Sequence, residues 1–83
     1  MPTFIDRHEH FPRPDATGLE ALRAQILAPA NEHGVKGINV LFEEDGSASC
    51  LMDAPDREAV LKSHEGTGLV LSLTDIKEYT GVI

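Results

Sequence analysis

The chain has 83 residues, of which 41% are hydrophobic and 25% charged, and its formal net charge is −7. This composition excludes an intrinsically disordered chain and predicts a single domain over residues 1–83. The acidic balance argues against nucleic acid or an anionic membrane as a partner. No apolar run approaches the ~20 residues that cross a bilayer. The N-terminal residues lack an apolar signal core and the chain has one cysteine, so we expect a cytoplasmic protein.

The first part of the chain predicts a strand followed by a helix. Residues 3–9 are too few for a helix and suit a strand. Thr17 and Glu20 match a capping box, and apolar residues then recur at helical spacing. Pro29 interrupts this pattern and predicts a kink or an irregular last turn. Gly34 is expected to be the left-handed residue that ends the element.

A β-hairpin is predicted next. Residues 35–44 alternate in polarity, which places Gly37 and Val40 on opposite faces of a strand. The Asp-Gly dipeptide at 45–46 is a strong turn signal. Residues 47–54 then return as a third strand.

A second helix and a last strand complete the pattern. Asp56 is expected to cap a helix over residues 57–65, and residues 69–79 are predicted to form the last strand. The order βαββαβ predicts an α+β ferredoxin-like sandwich, in which a four-stranded antiparallel sheet carries both helices on one face. The other face would expose apolar side chains, so we expect a homodimer through this open sheet face.

Candidate metal ligands lie at the end of the first strand. Asp6, His8 and His10 are two residues apart, so a strand that continued to His10 would project all three side chains to one face. A carboxylate and one or two imidazoles on one face could ligate a divalent transition metal. The spacing by itself is also compatible with an ordinary solvated strand end.

Two further residues carry reactive side chains. His64 is expected one helical turn after Val60, on the same side of the second helix. It is either a partly buried histidine near the negative end of the helix dipole or a ligand that meets the first strand. Cys50 is expected to be a small core residue rather than a ligand or a nucleophile.

Several short motifs carry a family resemblance that runs nearly from end to end. They are residues 1–8 (MPTFIDRH), 33–36 (HGVK), 50–55 (CLMDAP), 58–64 (EAVLKSH) and 68–70 (GLV). In these motifs the chain resembles a family of small bacterial ferredoxin-like proteins described as nickel-binding or nickel-responsive, formerly a domain-of-unknown-function family. The resemblance implies a dimeric sandwich that holds a transition metal, nickel in the first place, through histidines and acids.

The resemblance also suggests which residues hold the metal. Asp6, His8 and His64 match motif residues of the family, while the role of the cysteine that matches Cys50 is unassigned. The family often has a second histidine shortly after the position of His64, and residues 65–68 (EGTG) contain none. His10 is an additional histidine that could replace the missing ligand.

We therefore predict a metal-binding protein that holds nickel, or alternatively zinc or copper. The alternative is a dimeric ferredoxin-like enzyme of the monooxygenase or isomerase type, with His8 or His64 as a general base in a pocket. The aromatic content of 5% and the absence of Trp disfavour an organic pocket. A third hypothesis is a structural or regulatory dimer whose histidines have no special role.

Overall fold

The computed structural model describes residues 2–65 and 75–80. The elements are β1 (Thr3–His8), α1 (Ala16–Leu27), β2 (Lys36–Phe42), β3 (Ala48–Asp53), α2 (Arg57–Ser63) and β4 (Ile76–Tyr79). The strands form one antiparallel sheet in the order β2-β3-β1-β4. The predicted α+β ferredoxin-like fold is confirmed. Residues 69–74 of the predicted last strand lie outside the described residues.

Strand β1 lies inside the sheet and alternates between its two faces. Phe4, Asp6 and His8 are buried on one face, whereas the side chains between them are more exposed. Asp6 lies opposite Cys50 on β3 and opposite Ile76 on β4. The apolar core lies on this same face; its buried members are Phe4, Met52, Ala54, Ala59, Val60 and Ile76. On this face of β1, the buried polar side chains of Asp6 and His8 therefore follow the core residue Phe4.

The N-cap of helix α1 lies two residues before the expected cap, Thr17. Asp15 is the N-cap, and its side chain accepts a hydrogen bond from the backbone N–H of Gly18 at 2.8 Å. The predicted capping box at Thr17 is therefore wrong. Aspartate is as good an N-cap as threonine or better, and the helix uses the first acceptor that the chain provides.

Helix α1 ends before Pro29, which stops the helix rather than kinking it. Ala28 adopts an extended conformation with φ −64° and ψ 156°, as expected for a residue that precedes proline. Gly34 is left-handed, with φ 78°. It does not end the helix, however, since it lies in a separate turn that its N–H closes by donating to the carbonyl of Asn31.

Strand β2 contains a β-bulge that the sequence pattern did not indicate. The pairing with β3 shifts between Gly37 and Asn39, so Ile38 is the extra residue. As a result Gly37 and Val40 lie on the same face, and the predicted alternation is wrong at this point. A Cβ on Gly37 would lie 3.1 Å from the Cα of Ile26. Glycine thus allows α1 to approach the strand closely.

The hairpin turn and the start of the second helix form as predicted, but the helix ends two residues before the predicted residue 65. Gly46 takes a left-handed φ of 89° in the turn between β2 and β3. Asp56 caps α2 by accepting a hydrogen bond from the N–H of Ala59 at 2.8 Å. Helix α2 ends at Ser63, and His64 is its C-cap.

The opposite face of the sheet has apolar side chains without a partner in the described part of the chain. Leu41 and Tyr79 are 52% and 47% exposed, and Ile5 and Leu51 are partly buried. Within residues 2–65 and 75–80, no helix has both the length and the apolar character needed to cross a bilayer.

Candidate metal centre

Strand β1 places a carboxylate and an imidazole side by side inside the protein. Asp6 and His8 are 0% and 5% exposed, and both project to the core face because they are two residues apart. Burying such groups costs free energy unless a partner compensates them. Two polar groups in the small core of an 83-residue chain therefore suggest a role beyond packing.

Helix α2 brings a second imidazole to the same point. Val60 is fully buried in the core, and His64 follows four residues later on the same side of the helix. The His64 ring centroid lies 5.4 Å from that of His8, and its Nε2 is 3.5 Å from Oδ2 of Asp6. His64 on the helix and the two residues of β1 therefore come together within a single chain.

Donor atoms of these three residues converge. Nε2 of His8 is 2.7 Å from Oδ1 of Asp6, and one ligand atom from each of Asp6, His8 and His64 lies within 4.8 Å of the other two. Neither oxygen of Asp6 nor Nε2 of His8 has a well-aligned N–H or O–H partner among the described residues, although His8 and the Cys50 thiol both lie within reach of the carboxylate.

The backbone of α2 fixes the tautomer of His64. Its Nδ1 lies 2.8 Å from the carbonyl oxygen of Val60, and a carbonyl oxygen can only accept a hydrogen bond. Nδ1 therefore carries a proton, and the contact turns Nε2 toward the Asp6 carboxylate. Metal-ligating histidines are typically oriented by such a contact of their second nitrogen.

The electrostatic environment disfavours an uncompensated carboxylate at this point. Burial raises the pKa of Asp6 above its usual range, and the positive charge that His64 and His8 carry when protonated lowers it in part. A cation between the three side chains would stabilise the ionised carboxylate. The group formed by Asp6, His8 and His64 could accordingly hold a metal ion.

Cys50 lies beside the centre but is not one of its members. It is partly buried and packs against the core, as predicted. Burial, followed by the charge of Asp6 and a hydrogen bond to it, raises the pKa of the Cys50 thiol to about 12. The thiol is thus protonated at neutral pH in the metal-free protein. Its sulfur is not among the ligand atoms that converge in the group of Asp6, His8 and His64.

Phe11 contacts the centre and was missed by the sequence analysis. Its ring centroid is 6.0 Å from that of His8, and it meets Phe42 edge-to-face at 5.7 Å. The N–H of Phe11 donates to the carbonyl of Gly46 at 2.9 Å. The loop after β1 is thereby held across the end of the sheet, with an aromatic ring beside His8. The only available signal was an aromatic residue soon after the histidines.

His10 is the one proposed ligand that the structure does not bring to the group. Strand β1 ends at His8, where its pairing with β3 also ends at Ala48. His10 lies in the following bend and is exposed. His10 could join the metal group only if β1 continued for two more residues, and it does not.

The described cavities do not contain the predicted pocket histidine. Surface cavities of about 840, 670 and 480 Å³ are lined mainly by residues of the α2–β4 edge, the hairpin and the α1–β2 groove. Neither His8 nor His64 lines any of these three. The enzyme hypothesis requires a histidine that faces a substrate pocket, and these cavities do not provide one.

Fold and site together define the class: an α+β ferredoxin-like domain with a His–His–Asp group that could hold a metal ion. Comparisons with protein-family models, with curated proteins and with solved structures each find no match for the chain. Membership of the nickel-binding family therefore stays a prediction that depends on the short sequence motifs.

Proposed function

We propose that the chain is a small cytoplasmic protein that binds one divalent transition metal, nickel in the first place, through Asp6, His8 and His64. The observation that carries the proposal is the convergence of two imidazole nitrogens on a fully buried carboxylate. The role that fits is to hold, buffer or sense the ion rather than to turn over a substrate.

The type of donor narrows the choice of metal. Imidazole suits nickel, zinc, copper and iron, and a single carboxylate is compatible with each of them. Calcium and magnesium are disfavoured because they prefer sites made of oxygen ligands. Nickel is preferred over the other ions on the strength of the family resemblance alone.

A homodimer through the open sheet face is part of the proposal. Its support is the exposed apolar area around Leu41 and Tyr79 on strands that both helices leave uncovered. Lys77 also lies on this face together with Asp53, so two copies that pack antiparallel can pair opposite charges. Cytoplasmic location is proposed because the single cysteine excludes an internal disulfide.

Calorimetric titration tests the metal site directly. Untagged protein is stripped with a chelator and titrated with nickel, zinc and copper, beside a His8→Ala/His64→Ala double variant. The matched control is His10→Ala/His33→Ala, which removes the same number of imidazoles outside the group. We expect saturation near one ion per chain, loss of binding in the first variant and retention in the control. Equal binding by the wild type and the first variant would refute the site.

A further inference from the structure

The described residues supply three converging His and Asp donors to the proposed metal. Among the described residues, no other His, Cys, Asp or Glu belongs to the group formed by Asp6, His8 and His64. The sequence of residues 66–74 (GTGLVLSLT) contains none of these four residue types, and neither do Met1 and residues 81–83. A fourth donor of these types is therefore not available from within the chain.

Three donors do not complete the coordination of any of the candidate ions. Zinc prefers about four ligands, and a site with three protein ligands keeps a position for an exogenous one. Two histidines with one carboxylate form a donor set that typically has open positions on one side of a metal. The three side chains of this group therefore leave at least one coordination position open to a further ligand.

The charge of the centre decides which ligand fits that position. A divalent ion with one carboxylate and two neutral imidazoles has a net charge of +1. The nearest arginine in sequence, Arg7, faces the other side of β1, where its guanidinium pairs with Glu43 and Asp45. Glu43 and Asp45 therefore lie on the opposite face of the sheet and do not neutralise the charge of the metal. Because Asp6 is already included in the net charge of the centre, a charge of +1 would remain in a site where Asp6 and His8 are almost fully buried. Burying an uncompensated charge is costly, and one monoanion would neutralise it.

Access to the centre limits the size of the ligand. The side chains of Asp6 and His8 are almost completely buried, and that of His64 is 14% exposed. Phe11 lies beside the His8 ring and reduces the space on that side. His64 is thus the most exposed of the three side chains, and the almost complete burial of the other two favours an anion of a few atoms over a large organic acid.

We propose that the metal held by Asp6, His8 and His64 directly binds a small monoanion at an open coordination position. This inference rests on the proposed function, since it requires the metal site. It adds a ligand class to that site: the metal-loaded protein is a receptor for a small anion, such as a short carboxylate or a pseudohalide.

Cobalt(II) provides the test, because its visible absorption changes with the identity and number of its ligands. Untagged, chelator-stripped protein is loaded with one equivalent of Co²⁺, and free metal is removed and measured. Sodium azide is then titrated at an ionic strength held constant with perchlorate. Benzoate is titrated in parallel as a bulky monoanion, and Glu44→Gln serves as a variant outside the site.

We expect a saturable change in the visible spectrum at millimolar azide, with the same midpoint in Glu44→Gln and at least a tenfold weaker response to benzoate. Cobalt that binds stoichiometrically but gives the same spectrum at all azide concentrations would overturn the anion inference and leave the metal site intact. A response to benzoate as strong as that to azide would overturn the size limit. Failure to retain cobalt would overturn both the anion inference and the metal site.

Discussion

Nδ1 of His64 lies 2.8 Å from the carbonyl oxygen of Val60, one turn earlier in the chain, and this contact directs Nε2 toward the carboxylate of Asp6. The core residue that anchors α2 thus also orients the imidazole of the proposed site. Replacing His64 by Gln would keep a polar side chain but lose the rigid ring, and a weaker metal affinity is expected.

Asp6→Asn is expected to stabilise the metal-free protein at neutral pH while abolishing metal binding. Burial raises the pKa of Asp6 in the folded state above its usual value of 3.8. The neutral carboxyl therefore favours folding below the unfolded-state pKa, and this contribution is lost as the pH rises through the folded-state pKa. The uncharged amide avoids that loss and can donate a hydrogen bond to an imidazole nitrogen. We expect a gain of about 1 kcal/mol at pH 7, since replacing buried ionic groups is often stabilising.

Urea denaturation at pH 4 and pH 7 measures this effect. The difference between Asp6→Asn and the wild type is expected to be larger at pH 7 than at pH 4. Glu44→Gln, which removes one negative charge from the exposed hairpin, controls for net charge. A metal-free Asp6→Asn protein that is less stable than the wild type at pH 7 would show that the buried carboxylate is compensated without metal.

Phe11→Ala is expected to weaken metal binding without removing a ligand. The ring of Phe11 lies 6.0 Å from that of His8, so its loss would leave the His8 ring with more space and closer to water. Loss of such an outer contact typically costs about tenfold in metal affinity. Calorimetry with Phe11→Leu as the conservative variant separates the effect of the ring from that of bulk. An unchanged affinity in Phe11→Ala would show that the ring does not position His8.

Cys50 is expected to be unreactive in the folded protein. With a pKa of about 12, its thiol is almost entirely protonated at pH 8. Alkylation by iodoacetamide should be slow in native protein and fast in denaturant. The same shift predicts a loss of stability as the pH rises from 9 toward 12, because the unfolded thiol ionises first. Rapid alkylation of the native protein at pH 8 would contradict the environment described for this side chain.

Leu41→Glu is expected to dissociate the proposed homodimer. Leu41 is 52% exposed on the open sheet face, so a charge there costs little in the monomer and much in an interface. Sedimentation velocity should show a dimer for the wild type and a monomer for the variant. Leu27→Glu, an equally apolar position that is 68% exposed on α1, is the control and should remain dimeric. A monomeric wild type would refute the dimer.

The sequence predicts the fold well wherever local signals agree with the tertiary structure. The Asp-Gly turn, the cap at Asp56 and the period-two burial of Asp6 and His8 are all local properties. The bulge at Ile38 is not, because it depends on how β2 pairs with β3 beneath α1. The sequence pattern could not locate it.

The site was only partly predictable for the same physical reason. Asp6 and His8 follow from strand alternation, but the approach of His64 depends on how α2 packs on the core. His10 was expected to join because the end of β1 was unknown, and that end depends on pairing with β3. Phe11 contributes through a loop conformation that a single aromatic residue in the sequence does not indicate.

Anomalous diffraction from crystals of the zinc- or nickel-loaded protein, measured on both sides of the absorption edge of the metal, tests the central claim most directly. We expect one peak per chain between the carboxylate of Asp6 and the Nε2 atoms of His8 and His64, at about 2.0–2.2 Å from each donor. A peak at His10 or His33 with none at the group, in crystals of fully loaded protein, would contradict the proposed metal centre.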